Sequence, residues 1–159
     1  MVRVHPELLA NEKLPPALVT RSLWKDRFED INALERYLTR NGVVVLKFFL
    51  NVSKAEQKRR FLKRLDDKDK HWKFSASDLK ERAHWGAYMR AYEDMISYTA
   101  TPHAPWYVIP ADNKWFTRLA VARAVVDTLE GLNLSFPKVS AAQRKALNAA
   151  RAALATEKG

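Results

Sequence analysis

Between residues 58 and 75 the chain reads KRRFLKRLDDKDKHWKFS, eight lysines and arginines in eighteen positions. Arginine offers a planar fork of N–H donors that meets phosphate or carboxylate oxygens two at a time, and lysine offers a mobile point charge. Clustered, the two types can hold a polyanion; the same run can also be a solvated helix face. The wider stretch 54–73 holds nine basic and four acidic residues, so half of the formal net charge of +10 sits in about an eighth of the length. The excess is local, and it predicts an anionic partner: nucleic acid, polyphosphate, a nucleotide or acidic lipid.

Beyond cations, little in the chain could react. The four glycines, at 42, 86, 131 and 159, form neither a G-x-x-x-x-G-K-[ST] phosphate loop nor a Gly-rich dinucleotide fingerprint. His5, His71, His84 and His103 are scattered without metal-ligand spacing. Asp66, Asp67 and Asp69 are interleaved with lysines that balance them, and Glu93-Asp94 stands alone. There is no G-x-S-x-G elbow for a serine nucleophile. The absence of cysteine excludes disulfides, thiolate metal sites and cysteine nucleophiles. No catalytic residue and no metal ligand is assigned, and self-sufficient catalysis is unsupported.

The elements that must position the cations follow from periodicity. Trp24, Phe28, Ile31, Leu34 and Leu38 make one apolar stripe of a helix over about 24–40, closed at Asn41-Gly42. VVVLKFFL (43–50) is a β-branched and aromatic run without alternation, which predicts a strand buried on both faces, as in a parallel sheet. WYVIP (106–110) is a second, shorter strand. Between them Ser53-x-x-Glu56 and Ser75-x-x-Asp78 fit the capping box, and they open the two arms of a helical hairpin over about 53–99. On the first arm Arg59, Lys63, Arg60 and Arg64 fall within an arc of about 140°, opposite Phe61, Leu62 and Leu65. The second arm is predicted to run unbroken to about 99, its stripe of Trp85, Tyr88, Met89, Tyr92, Met95 and Ile96 serving as core in preference to a platform for bases.

A helix over about 113–130, with Trp115, Leu119, Ala122, Val126 and Leu129 on one stripe, and a last helix from about 141, capped by Ser140 and Gln143, complete the chain. Val2 and Val4 suggest a short extended start. The length of 159 residues suits one domain with a substantial core. No apolar run nears the ~20 residues a bilayer requires. Glu7 and Glu12 interrupt any signal-peptide core, so a cytoplasmic protein with no membrane partner is expected. The element order is α/β, but two strands are few for an open sheet. The arrangement looks like part of a fold.

RFEDINALERYLTRNGVVVLKFFLNVSKAEQKRRFLKRLDDKDKHWKFS and AYEDMISYTATPHAPWYVIPADNKWFTRLAVARAVVDTLE resemble the polyphosphate kinase 2 family, over nearly the whole chain from VRVHPELL to VSAAQRKAL. VLKFFL, HWKFS, APWYVIPAD and KWFTRLAVA are its specific phrases. The resemblance implies a phosphotransferase that moves phosphoryl groups between inorganic polyphosphate and nucleotides, with Mg²⁺ as cofactor. The implied fold is α/β: part of a P-loop, thymidylate-kinase-like α/β/α sandwich with the hairpin as its helical lid. Full-length members carry a Gly-rich phosphate loop and an aspartate-bearing strand motif before the segment resembling VRVHPELL, and neither is in this sequence. Residues 1–137 therefore resemble the C-terminal part of the family domain, with the lid at about 53–99, and residues 138–159 form a helical tail.

Carried over by position, the polyphosphate-binding lid residues are Arg59, Arg60, Arg64, Lys70 and Lys73. Asn113 and Lys114 are nucleotide-proximal, and Trp72 is expected to anchor the lid in preference to stacking on a base. The implied partners are inorganic polyphosphate, a nucleoside di- or monophosphate, a missing N-terminal half, and further copies of the chain in a homo-oligomer. The competing expectation is a non-catalytic module holding polyphosphate or nucleic acid.

Overall fold

The computed structural model describes residues 2–157. Its elements are α1 (Leu23–Arg40), β1 (Lys47–Asn51), α2 (Lys54–Asp66), α3 (Ala76–Ala83), α4 (Trp85–Thr99), β2 (Trp106–Pro110), α5 (Lys114–Gly131) and α6 (Ala141–Thr156). Short 3-10 turns lie at Pro6–Glu12, Pro16–Leu18 and Lys68–Lys73. Two compact units divide the described residues, one up to Ala124 and one from Val125. No helix among them is long and apolar enough to cross a membrane.

β1 and β2 run parallel, with Lys47 opposite Trp106 and Asn51 opposite Pro110. The parallel pairing is the one predicted by the apolar run, but its extent and burial are not. Pairing begins only at Lys47, where β2 begins, because a strand lasts as far as a neighbour supplies its hydrogen bonds. Val43, Val44 and Leu50 remain 45%, 48% and 48% exposed and no residue of β1 is fully buried, so the predicted run is not buried on both faces. Nor is the core substantial. Among the described residues the buried apolar side chains are Leu23, Phe28, Ala104, Ile109 and Ala111. A two-stranded ribbon is too narrow to support two covering layers.

A polar knot sits where a larger domain would place hydrocarbon. Lys47 Nζ donates to Glu35 Oε2 at 2.7 Å and to the Thr99 carbonyl at 2.6 Å, and lies 5.3 Å from the centre of the Trp106 ring. Trp106 Nε1 donates to Thr99 Oγ1 at 2.9 Å. This joins α1, β1, the end of α4 and β2 through one ammonium group. It also sets the roll of α1. At 3.6 residues per turn Phe28 and Glu35 point within about 20° of each other, and Leu34 lies about 120° away. With Glu35 held inward by Lys47, and Phe28 stacked on Tyr98 at 5.4 Å, part of the predicted stripe turns outward. Ile31 is 40% and Leu34 58% exposed.

The segment around Val2 and Val4 is a turn, not an extended strand. Arg3 pairs with Asp94 and lies over the Phe28 ring. His5 Nε2 donates to Glu81 Oε2 at 2.8 Å, its ring meets His84 edge-on, and Tyr88 also donates to Glu81. These donors hold the Glu81 carboxyl below its ordinary range, Tyr88 first, while burial pushes the Tyr88 hydroxyl up to about 12. The second hairpin arm is broken at His84, which leaves helical geometry (φ −86°, ψ 15°) and donates its N–H to the Glu81 carbonyl. Gly86, a weak helix former, follows at once. Periodicity persists across such a break, so the arm reads as continuous while the backbone is not.

Lys47→Met leaves Glu35 buried without its counter-charge and should destabilise the fold by about 3–5 kcal/mol. Adding Glu35→Leu should restore most of the loss. Urea melts of the three chains measure both, and a Lys47→Met melt matching the parent would contradict the role given to the pair.

Candidate functional site

The parallel pairing sends both strands' carboxyl ends the same way, so the β1–α2 and β2–α5 connections meet. Ala111 N–H donates to the Asn51 carbonyl at 2.9 Å, carrying the contact one residue past the strands. Ser53, in extended conformation, caps α2 by accepting the Glu56 N–H at 3.1 Å on Oγ. The other half of the predicted capping box is not made by Glu56. Asp112 Oδ1 accepts the Ser53 N–H at 2.7 Å instead, across from the β2–α5 connection. That frees the Glu56 carboxylate to turn along its own helix.

There it meets two arginines. Arg59 donates to it from Nε (2.6 Å) and Nη2 (2.7 Å), and Arg60 from Nε (2.7 Å). Arg60 Nη2 also donates to the Ala111 carbonyl at 2.6 Å, so Arg60 ties α2 to the end of β2. Beside this knot lies a cleft of about 280 Å³ bounded by Arg59, Arg60, Lys63, Asn113, Lys114 and Trp115, with Glu56 and Asp112 in its wall. Four cations thus face two carboxylates, both already engaged. Arg59 and then Arg60 hold the Glu56 carboxyl down at about 2. Arg59 is raised in return by the same bonds.

Of the predicted positions, Arg59, Arg60, Asn113 and Lys114 come together at this cleft. Arg64, Lys70 and Lys73 do not. Arg64 lies over the Phe61 ring at 5.5 Å, Lys70 pairs with Asp67, and Lys73 lies 4.8 Å over the Trp72 ring. Trp72 is 78% exposed and so does not anchor the hairpin. Phe61 and Phe74, edge to face at 5.9 Å, close it instead, with His71 Nε2 donating to the Leu65 carbonyl at 2.8 Å. Nor are the two faces of α2 cleanly parted: Leu62 and Leu65 are 51% and 45% exposed, and the Arg60 side chain is only 26% exposed.

Sequence reasoning missed Lys63, Glu56, Asp112 and Trp115 as site residues. Lys63 had a signal, four positions after Arg59 on the same face, and so had Glu56, three and four before the two arginines. Asp112 had none, because its partner is Ser53, 59 residues away. The aromatic stripe of α4 falls short of the core predicted for it: Tyr92 lies 5.0 Å from Phe49 and 6.2 Å from Tyr88, but it is 37% exposed and Trp85, Tyr88, Met89, Met95 and Ile96 are only half-buried.

Mg²⁺ needs several oxygen donors in near-octahedral array. Among the described residues no group of three His, Asp or Glu could hold a metal ion. The two carboxylates of the cleft are occupied by Arg59, Arg60 and the Ser53 N–H. These residues do not form a Mg²⁺ site.

A carboxyl held below its ordinary value stabilises the fold above that value and loses the contribution as pH falls. The stability advantage of the parent over Glu56→Gln should therefore be constant above about pH 4.5 and shrink toward zero near pH 2. Denaturant melts across that range give the difference directly; an advantage independent of pH would show that the ionised carboxylate is not its source.

Residues 16–137 match the family model described as Polyphosphate kinase 2 (PPK2). The chain is 45% identical over 148 residues to the ADP-polyphosphate phosphotransferase of Rhodopseudomonas palustris, covering 92% of this chain and 51% of that protein. It is 56% identical over 135 residues to a Leptolyngbya boryana protein called "Uncharacterized protein in chlN 3'region", covering 85% of this chain and 99% of that one. The crystal structure of Polyphosphate Kinase 2 from Arthrobacter aurescens TC1 superposes with a TM-score of 0.78 at 40% identity, over 94% of this chain and 50% of that one. The chain therefore spans about half the length of the named phosphotransferase and of the solved kinase. A helix-rich fold around a small parallel sheet, the match over residues 16–137 and these identities together make the chain a member of the polyphosphate kinase 2 family.

Proposed function

We propose that this chain supplies the polyphosphate-gripping half of a phosphotransferase that moves phosphoryl groups between inorganic polyphosphate and a nucleotide. The observation that carries this is the cleft: Arg59, Arg60, Lys63 and Lys114 surround one space just beyond the carboxyl ends of two parallel strands, where α/β folds gather their ligands. Phosphoryl transfer spreads negative charge over the moving group, and clustered guanidinium and ammonium groups stabilise it. The hairpin of α2, α3 and α4 acts as the lid. Arg64, Lys70 and Lys73, further along it, meet the phosphate chain beyond the cleft, and Asn113 with Lys114 lies toward the nucleotide. The second substrate is a nucleoside di- or monophosphate, with ADP first, since the Rhodopseudomonas relative is named for it.

In this reading the phosphate loop and the Mg²⁺ ligands come from a second half. Exposed apolar groups on the sheet and on α5 support a further covering structure: Leu50 and Val108 are 48% and 53% exposed, Trp115 and Leu119 69% and 60%. That cover is the second half of the family domain, and homo-oligomers are its substitute when the half is lacking. A non-catalytic module for polyphosphate or nucleic acid is the second reading. It is favoured by Trp72, an exposed ring beside Lys73 of the kind on which a base stacks.

The test is ATP formation from polyphosphate, Mg²⁺ and ADP by the purified chain, alongside its binding of polyphosphate. Binding that weakens steeply with salt and about tenfold on Arg59→Ala, with no ATP formed, is expected. Turnover by the chain alone would overturn the two-half reading. Equal affinity for polyphosphate and for single-stranded DNA of matched charge would favour the generic module.

A further inference from the structure

Both arginines of the cleft are held by one carboxylate. The Glu56 side chain is 9% exposed, while Arg59, which gives it two bonds, is 70% exposed. Nε and Nη2 of Arg59 are turned inward onto Glu56, and Arg60 is fixed at Nε by Glu56 and at Nη2 by the Ala111 carbonyl. In each guanidinium Nη1 has no protein partner among the described residues, and both side chains line the cleft. We propose that Glu56 is a positioning residue: it holds Arg59 and Arg60 in the pose that grips an oligophosphate, so that the cleft binds this polyanion better with the negative charge than without it.

The inference rests on the phosphate-gripping reading of the cleft and sets two opposed effects against each other. A carboxylate in the wall repels phosphate. An unheld arginine, however, must order a long flexible side chain before its fork can bind, and Glu56 has done this for two of them. Repulsion is weakened on two counts. Both Glu56 oxygens are already compensated by guanidinium N–H groups. Glu56 also lies in the first turn of α2, where the positive end of the helix dipole offsets part of its charge. Ordering therefore wins, and the sign is opposite to the one that net charge alone gives.

Calorimetric titration of the full chain with a linear polyphosphate tests this in the parent, Glu56→Gln, Glu56→Asp, Arg59→Ala and the Glu56→Gln/Arg59→Ala double variant. Glu56→Gln should bind about tenfold more weakly although its charge is one unit more positive, and the slope of log affinity against log salt should fall. Glu56→Asp keeps the charge but is one methylene short of reaching both forks, so it should also bind more weakly. The double variant should lose less than the sum of the two single losses, because Glu56 acts in part through Arg59, while the part exerted through Arg60 remains to be lost. Tighter or unchanged binding by Glu56→Gln, parental binding by Glu56→Asp, or additive losses would each overturn the inference while leaving the cleft's function standing. Failure of the parent to bind polyphosphate would overturn both.

Discussion

Five residues of parallel pairing hold the molecule's other features in place. Parallel strands need a long crossover, and here the whole α2–α4 hairpin is that crossover. Because β1 and β2 point the same way, the start of α2 and the start of α5 emerge side by side. Only then can Asp112 reach Ser53, or Arg60 reach the Ala111 carbonyl. Antiparallel strands of the same length would have put the two helix starts about 17 Å apart, and the four cations would not share a cleft.

With so few apolar side chains fully buried, carboxylates do much of the organising. Glu35 sets the roll of α1 through Lys47, Glu81 gathers His5 and Tyr88 at the break in the hairpin, and Glu56 orders the cleft. Each of them accepts at least one bond from a cationic or aromatic donor. Such contacts have direction, so they fix orientation where a small hydrophobic core would fix only proximity. The arrangement leaves much apolar surface outside, on both strands and on α5, which is consistent with a chain that spans about half of the Rhodopseudomonas phosphotransferase and of the solved kinase.

The elements were legible because local rules govern them. A β-branched run, capping residues and apolar periodicity placed both strands and most helix boundaries within a few residues. Local rules failed where a partner from elsewhere in the chain intervened. The stripe on α1 was real, but Lys47 and Tyr98 rolled it. The capping box at Ser53 was half made, since Asp112 took the backbone N–H that Glu56 was expected to accept. Trp72 and His84 show the same limit, one aromatic left outside and one helix broken with no change in residue pattern.

The local excess of positive charge, the helix and strand periods and the family were all determined by the sequence by itself, because each depends on residues within one short stretch or on phrases specific enough to be matched. Which cations act together was decided only by the tertiary structure. Arg59, Arg60 and Lys63 lie on one helix and were visible as a group, but Lys114 joins them from the far side of the crossover, and Arg64, Lys70 and Lys73 leave for other partners. Helical spacing determines direction around one axis; a cleft is made where two axes meet, and that meeting depends on the register of β1 against β2.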